Sequence, residues 1–469
     1  MRHVDKFALL HDNEKMLLVK SKRLNRYIVS AIVFLIVFAG HLTSRNISSA
    51  DSRWSIHTAQ SIIDHGNTSL DDYVKKEEAS SDYRIERIGD HYYSIFPVGA
   101  SIMAIPFVWS INYALHYFRP AMEKVAAYYV TKPGYSLPES LTAVNIYPGM
   151  ELLVASFIIA LATVFVFLTA NEYLNGGNSL LCAFVFAFCT STWSVASRGL
   201  WSHGPTILSL SAALFFLVKA RRQPWIVQFA GIPLAFSYIA RPTNIISILI
   251  LSIFVFLKYR KHFALYVIWA MTILVPFVMF NYSVYHAAIS PYYRAGRIGY
   301  HPLFLEALVG NLISPARGLF VFTPLLLFFL YGVYLKKRDK EFELLDAALL
   351  FIILLHWIAS SAFHPWQGGH TFGPRYMSDM IPYMVYFLIS PIGALFSSTK
   401  TRRGGRLLFL ALILLSFFIH YRGATDPTVY EWNREPINVD LRPQRIWDWK
   451  DVQFLRGLSR PHFFHRSPQ

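Results

Sequence analysis

Cysteine is nearly absent from this sequence. Only Cys182 and Cys189 occur, and they lie seven positions apart in one apolar stretch. On a helix this spacing puts both thiols on one face but two turns apart, which is too far for a disulfide bond. A disulfide framework is therefore excluded, and both residues are interpreted as small packing residues. No cleavable signal peptide is predicted either, since residues 1–26 are polar and basic and no small-residue cleavage site follows.

Charged residues are also scarce, at 15% of the chain against 54% hydrophobic residues. The apolar residues come in runs of about 20, which is the length that crosses a bilayer as a helix. The runs show no alternation of apolar and polar positions, so a membrane β-barrel is excluded. The sequence therefore predicts an all-α polytopic membrane protein.

Basic clusters orient the predicted spans by the positive-inside rule. They place the N-terminus and the clusters at 221–222, 258–261, 336–338 and 400–403 in the cytoplasm. Since Lys and Arg act here as topology signals, the net charge of +16 is not interpreted as a nucleic-acid site. The predicted spans are 27–42, 96–118, 149–170, 180–196, 205–219, 226–240, 244–258, 265–280, 318–335, 345–362, 376–396 and 407–420.

The span count conflicts with the basic residues in one region. Four spans between Pro97 and Arg221 would leave Arg221 on the outer side, where the positive-inside rule does not expect it. We therefore expect a segment that is not a simple crossing, within 96–118 or within the polar stretch 119–148.

A long polar loop, residues 44–95, follows the first span and begins with Asp51, Arg53 and Trp54. Loops of this length between spans are more often functional than not. A helix is predicted from Trp54 to Asp64. Asp51 is a candidate catalytic carboxylate, and the alternative is that it caps this helix, because Asp favours the N-cap and suits the helix dipole.

Three arginines beside glycine or proline fall on the same outer side, namely Arg198, Arg241 and Arg375. Each alone is explained by snorkelling at the interface. Together they predict an anionic ligand, because guanidinium pairs bidentately with phosphate. His203 and His370 lie in the same motifs without Cys or carboxylate partners nearby in sequence, so no metal site is predicted.

The order of these motifs resembles the GT-C superfamily of polytopic glycosyltransferases, nearest to the branch similar to bacterial protein mannosyltransferases and the lipid A aminoarabinose transferase. The resemblance covers most of residues 27–396 and rests on Asp51 after the first span and on the motifs around Tyr93, Arg198, Arg241 and Arg375. Many members carry two adjacent acidic residues where this chain has Asp51-Ser52. No large soluble C-terminal domain is expected after the last span, because residues 421–469 are few and basic.

The resemblance implies a bundle of about 11–13 transmembrane helices with a large first extracytoplasmic loop. Residues 1–26 would form the cytoplasmic N-terminus, 27–396 the catalytic membrane domain, and 397–469 the last transmembrane helix with a short basic tail. It also implies an integral protein of the bacterial inner membrane, with its active site on the periplasmic side.

The chemistry that the resemblance implies is transfer of a sugar, with inversion, from a polyprenyl-phosphate-linked donor to a glycan, lipid or protein. Asp51 would be the base. Arg198, Arg241, Arg375, His203 and His370 would stabilise the donor phosphate, without a metal or other cofactor. Sugar or acceptor binding is expected from Arg53, Trp54, Tyr93, Trp201, Tyr293, Arg294 and Trp366.

Two alternatives remain from the sequence. An O-antigen ligase or polymerase usually carries its large loop late in the chain, whereas the longest outer loop here is the first. A non-enzymatic transporter of polyprenyl-linked glycans would bind the same phosphate without needing Asp51. Transporters place ionisable residues near mid-span in repeated halves, and no internal repeat is evident here.

Overall fold

The structure, a computed structural model, describes residues 25–47, 50–129, 141–293, 299–396 and 403–458. Within these residues sheet structure is limited to one antiparallel hairpin, β1 (Ile85–Ile88) and β2 (His91–Ser94). The α-helices are α1 (Asn25–Leu42), α2 (Ser55–His65), α3 (Lys76–Ser81), α4 (Gly99–Tyr129), α5 (Tyr147–Ala170), α6 (Gly176–Phe188), α7 (His203–Lys219), α8 (Gly231–Ala240), α9 (Ile245–Lys258), α10 (Arg260–Tyr285), α11 (Phe304–Ile313), α12 (Leu319–Phe322), α13 (Phe328–Arg338), α14 (Leu344–Ser361), α15 (Ile381–Phe396), α16 (Arg403–Thr425) and α17 (Thr428–Glu431).

Helices of this bundle are apolar enough to span a membrane, which confirms the predicted fold class. In the described part of the chain, six helical stretches have both the length and the hydropathy for a crossing. Shorter apolar helices, including α6, α7 and α9, pack among them. Close helix packing depends on small residues: a Cβ on Gly332 of α13 would overlap the backbone of Phe387 in α15.

Several basic clusters collect at one end of the bundle. At one end, the buried carboxylate of Glu172 contacts Arg26, Lys219 and Arg222. Lys336 and Asp346 pair at the same end. Lys336 donates to the Tyr386 hydroxyl, which contacts the hydroxyl of Tyr173, the residue next to Glu172. The opposite end carries Asp51, and we call the two the Glu172 end and the Asp51 end. The basic residues at 221–222 and 336–338 therefore lie together, at the end that the positive-inside rule assigns to the cytoplasm.

The predicted span 96–118 is not a simple crossing, because the chain enters and leaves this region at the Asp51 end. Gly99, at the start of α4, lies against the backbone of Ala240, which ends α8 beside the Asp51 cavity. Farther along α4, Asn112 bonds both Gln60 of α2 and the amide of Ala143, just before α5. With α4 set aside, the crossings α1, α5, α6 and α7 bring Arg221 to the Glu172 end. This removes the conflict in the sequence-based topology.

Two further expectations are corrected by the local backbone. Asp51 does not cap a helix: α2 begins at Ser55 with Trp54 in the N-cap position, and Asp51 lies in the preceding turn. The predicted span 180–196 is not continuous. Helix α6 ends at Phe188, and a π-helical turn, Thr192–Ala196, follows. This turn leads to the motif around Arg198.

The segment after α16, described to residue 458, is folded against the Asp51 end of the bundle. Its anchor is Arg317, which is buried and donates to the side chains of Asn433 and Gln453. The same guanidinium donates to the carbonyl oxygens of Gln367 and Gly369. The sequence alone indicated a short basic tail here, without this packing.

Candidate functional site

A cavity of about 590 Å³ opens at the Asp51 end, between the first loop, the ends of α8 and α14, and the loop before α15. Among the described residues, three charged side chains line it, those of Asp51, Arg241 and Arg375. Aromatic rings form much of the remaining wall, among them Trp201 and Tyr376. A carboxylate, two guanidinium groups and flat apolar surfaces therefore meet in one space.

Asp51 is held by two donors from distant parts of the chain. Arg375 Nη2 lies 2.6 Å from Asp51 Oδ2, and the Tyr83 hydroxyl donates to Oδ1 at 2.7 Å. Burial acts to raise the pKa of Asp51, but the charge of Arg375 and the two hydrogen bonds outweigh it and hold that pKa below its ordinary value. The Arg375 guanidinium also lies over the Trp201 ring, 4.3 Å from its centroid. Asp51 is therefore ionised and Arg375 is fixed in place.

Arg241 is held by a second buried network behind the cavity wall. Its Nε lies 3.0 Å from Asp379 Oδ2, and its Nη1 lies 2.8 Å from His203 Nε2. The other His203 nitrogen, Nδ1, lies 2.7 Å from Asp379 Oδ1. His356 of α14 approaches the same carboxylate at 3.9 Å. Arg241 and the histidines from α7 and α14 thus converge on the Asp379 carboxylate at the start of the α15 span.

Asp379 and His356 were not among the residues singled out from the sequence. Asp379 follows Arg375 by four positions, a spacing that puts the two on one helical face. His356 is an ionisable residue inside an apolar span, which is itself a functional signal. Both signals were present in the sequence and could have identified these residues.

No family model and no curated protein matches this chain. Among solved structures, it is similar to the oligosaccharyltransferase of Archaeoglobus fulgidus tethered with an acceptor peptide containing the NVT sequon, with a TM-score of 0.52. The sequence identity is 13%, over 90% of this chain and 58% of that one. The two chains share a fold. The same enzyme in its apo form gives a TM-score of 0.46 at 11% identity, over 91% of this chain and 59% of that chain.

Within this fold, five of the predicted site residues line the main cavity: Asp51, Arg241, Arg375, Trp201 and Tyr293. Tyr93 lines a smaller cavity beside it. His203 contacts the cavity only through Arg241. Arg294 lies outside the described residues.

Arg198 does not reach the cavity, which corrects its prediction as a phosphate ligand. Its side chain is fully buried, and it donates to the carbonyl oxygens of His41, Ser44 and Asn46. These carbonyls belong to the end of α1 and the residues after it, where the helix has no further backbone N–H groups to bond them. Arg198 therefore caps α1 and fixes the start of the first loop.

Two predicted tryptophans are also packing residues in this structure. Trp54 is 2% exposed, and its indole donates to Asp82 beneath the hairpin. Trp366 is 2% exposed and clusters with Trp432 of the C-terminal segment. Both rings are packed against other protein groups, so neither offers a face to a sugar.

Two predicted polar residues lie outside the cavity walls as well. Arg53 pairs with Glu78 at 2.9 Å. His370 lies 3.3 Å from Asp440 of the C-terminal segment. In the described part of the chain, no group of three or more His, Cys, Asp or Glu side chains is arranged to hold a metal ion.

The glycines of the 366–375 loop are turn residues. Gly368, Gly369 and Gly373 all have φ between 63° and 73°, which non-glycine residues rarely adopt. A Cβ on Gly373 would also overlap the ring of Phe322. The turns direct the carbonyl of Gly369 to Arg317 and bring Arg375 to the cavity.

Proposed function

We propose that this protein is a membrane glycosyltransferase that moves a sugar, with inversion, from a polyprenyl-phosphate-linked donor to an extracytoplasmic acceptor. The observation that carries the proposal is that one cavity contains both the Asp51 carboxylate and the guanidinium groups of Arg241 and Arg375. The fold shared with an oligosaccharyltransferase supports the same class of reaction.

The reaction requires a base, an electrophilic carbon and a stabilised leaving group. Asp51 accepts the proton of the acceptor hydroxyl as its oxygen attacks the anomeric carbon from the face opposite the phosphate. The bond between that carbon and the phosphate oxygen breaks, and its electron pair stays on the phosphate. Arg375 and Arg241 stabilise the negative charge that develops there.

Donor binding would also activate the base. In the structure, the charge of Arg375 helps to hold the pKa of Asp51 down. Phosphate oxygens that take over Arg375 weaken this contact, so Asp51 gains basicity when the donor is in place. Through the same exchange of partners, a lipid phosphate competes with Asp51 for the Arg375 guanidinium.

The location follows from the charge of the two ends. The positive-inside rule assigns the Glu172 end to the cytoplasm, so the cavity faces the extracytoplasmic side, the periplasm of a bacterial inner membrane. The acceptor is a glycan, a lipid or a protein. The similar structure was solved with an acceptor peptide, so a peptide acceptor is the first to test. No cofactor is proposed.

The test is turnover of polyprenyl-phosphate sugars by the purified protein in lipid nanodiscs, with several donors offered and released carrier phosphate measured. Asp51→Asn keeps the size of the side chain and removes the base. We expect turnover to fall by about 10²-fold or more, with donor binding retained. The matched control is Asp90→Asn, a carboxylate in the same loop that is 93% exposed and pairs with Arg87 on the surface.

Each other outcome is informative. Full activity of Asp51→Asn would show that Asp51 is not the base. A wild type that binds carrier phosphate but consumes no donor would favour a transporter instead.

A further inference from the structure

A small second cavity adjoins the main one, and we call it the annex. It has a volume of about 30 Å³ and lies between α2, the segment after β2, and the end of α10. Four residues line both cavities: Ser55, Phe96, Pro97 and Tyr293. Ser55 stands only four positions after Asp51 in the chain. A group bound beside Asp51 can therefore extend into the annex without leaving the site.

The wall of the annex is rich in hydroxyl groups. They come from Thr58 on α2, Thr68 and Ser94 near the hairpin, Ser101 on α4, and Ser290 after α10. Thr58 is 4% exposed, and its Oγ1 has no hydrogen-bond partner among the residues that the structure describes. Threonine in a helix usually bonds the carbonyl four residues earlier, and a buried hydroxyl without a partner is costly. Rotation of the Thr58 side chain would turn this hydroxyl toward the annex, where a ligand would supply the missing partner.

The annex is also uncharged. Among its lining residues in the described ranges, none is Asp, Glu, Lys, Arg or His. Tyrosines 93 and 293 contribute phenol groups, and burial raises the pKa of both, so they stay neutral at physiological pH. An amine or carboxylate placed here would lose its hydration without gaining a counter-charge.

We propose that the annex is a specificity subsite for an uncharged hydroxyl-bearing substituent, the exocyclic hydroxymethyl group of a neutral hexose. This rests on the proposed function, since the sugar ring itself would lie in the main cavity near Asp51. The volume suits the assignment, because about 30 Å³ exceeds the roughly 10–15 Å³ that a cavity needs to hold one water-sized group. The hydroxyl end of a hydroxymethyl group is of that size.

The test compares donors that differ only at this substituent. Purified wild-type protein in nanodiscs is offered polyprenyl-phosphate-linked mannose and glucose, and the 6-deoxy and 6-amino-6-deoxy analogue of each. For the consumed hexose, we expect kcat/KM to exceed that of its 6-deoxy analogue by about tenfold, because the analogue leaves the annex hydroxyls unpaired. The 6-amino analogue should be used still less.

The protein side of the test is Thr58→Val, which keeps the side-chain shape and removes the hydroxyl. This variant should lose about tenfold in kcat/KM for the hexose and little for the 6-deoxy donor, so that the preference disappears. Ser101→Ala is the second variant, in case Thr58→Val folds poorly. Thr272→Val on the exposed side of α10 is the matched control, since Thr272 bonds the carbonyl of Trp269 in its own helix.

Three results would overturn the subsite while leaving the glycosyltransferase standing; the first two concern the 6-deoxy analogue and the third the 6-amino donor. One is equal use of the hexose and its 6-deoxy analogue by the wild type, and the other is a preference that both variants retain. Efficient use of the 6-amino donor would also contradict it, because the annex has no acid to pair with an ammonium. If no sugar donor of any kind is consumed, the proposed function fails and the subsite falls with it.

Discussion

Asp51 and Arg375 are 324 positions apart in the chain, yet their side chains meet at 2.6 Å. The contact joins the first loop to the loop before α15 across the mouth of the cavity. A second buried contact, between Arg241 and Asp379, repeats the same pairing of one acid and one guanidinium. The resting site is therefore electrically balanced, and an anionic ligand must exchange partners to enter it.

The first prediction concerns pH. Tyr83→Phe removes a hydrogen bond that lowers the pKa of Asp51, so that pKa should rise. Since Asp51 must be ionised to act as a base, the acid limb of the kcat/KM profile should move to higher pH, with the plateau retained. Turnover measured across the acid range checks this. If the acid limb does not move, the pH profile does not report the ionisation of Asp51. Tyr113→Phe, on the exposed face of α4, is the control.

Stability gives the same prediction an independent readout. A carboxylate with a depressed folded pKa stabilises the fold above its unfolded pKa, and this stabilisation is lost as the pH falls through the folded pKa. Since Tyr83 is 64% exposed and water competes for the bond, Tyr83→Phe should cost less than about 1 kcal/mol near neutral pH and progressively less in acid. Thermal unfolding of both proteins at several pH values measures the difference.

The second prediction concerns the network behind Arg241. Asp379→Asn breaks a buried ion pair, which typically costs about 3–5 kcal/mol. Because Arg241 lines the cavity, we also expect the donor KM to rise about tenfold or more. Thermal unfolding and donor kinetics measure the two effects separately.

Asp346→Asn is the matched control for this variant. It breaks the buried pair with Lys336 at the Glu172 end, where the two side chains lie 2.7 Å apart. A similar loss of stability with an unchanged donor KM is expected. Equal effects of the two variants on KM would mean that Asp379 acts through stability alone.

The third prediction concerns the topology of α4. Cysteines introduced at Asp90 in the hairpin and at Glu123 in α4 should both react with a membrane-impermeant maleimide added outside intact cells. A cysteine at Lys340, after α13, should react only after the cells are opened. Cys182 and Cys189 are buried and give little background. Labelling of position 123 from the cytoplasmic side would show that α4 crosses the membrane.

The sequence located best the charged residues, whose placement in or near a membrane costs free energy. Asp51, Arg241 and Arg375 lie at span ends on one side, and the topology alone brings them to one face. The apolar runs predicted the fold class for the same reason. Trp201 was found with them because it lies in the motif next to a span.

Other parts of the site depend on contacts that no local pattern records. Arg198 has the same sequence setting as Arg241, but its partners are backbone carbonyls at the end of α1, which any sequence would present. Trp366 is buried because a remote segment containing Trp432 packs on it. The annex forms where α2 meets the end of α10. The sequences of these two helices share no pattern that would predict their contact.

Arg317 has a consequence for the order in which the molecule is completed during synthesis. Its partners Asn433 and Gln453 are among the last parts of the described chain to be made, whereas Gly369 is made well before them. The turn that carries Arg375 therefore waits for a segment that must itself reach the Asp51 end. A chain that stalls after α16 lacks two of the partners that hold Arg317 and, through it, the carbonyl of Gly369. The turn before Arg375 would then be fixed only after residues 433–453 have been made, as a late event.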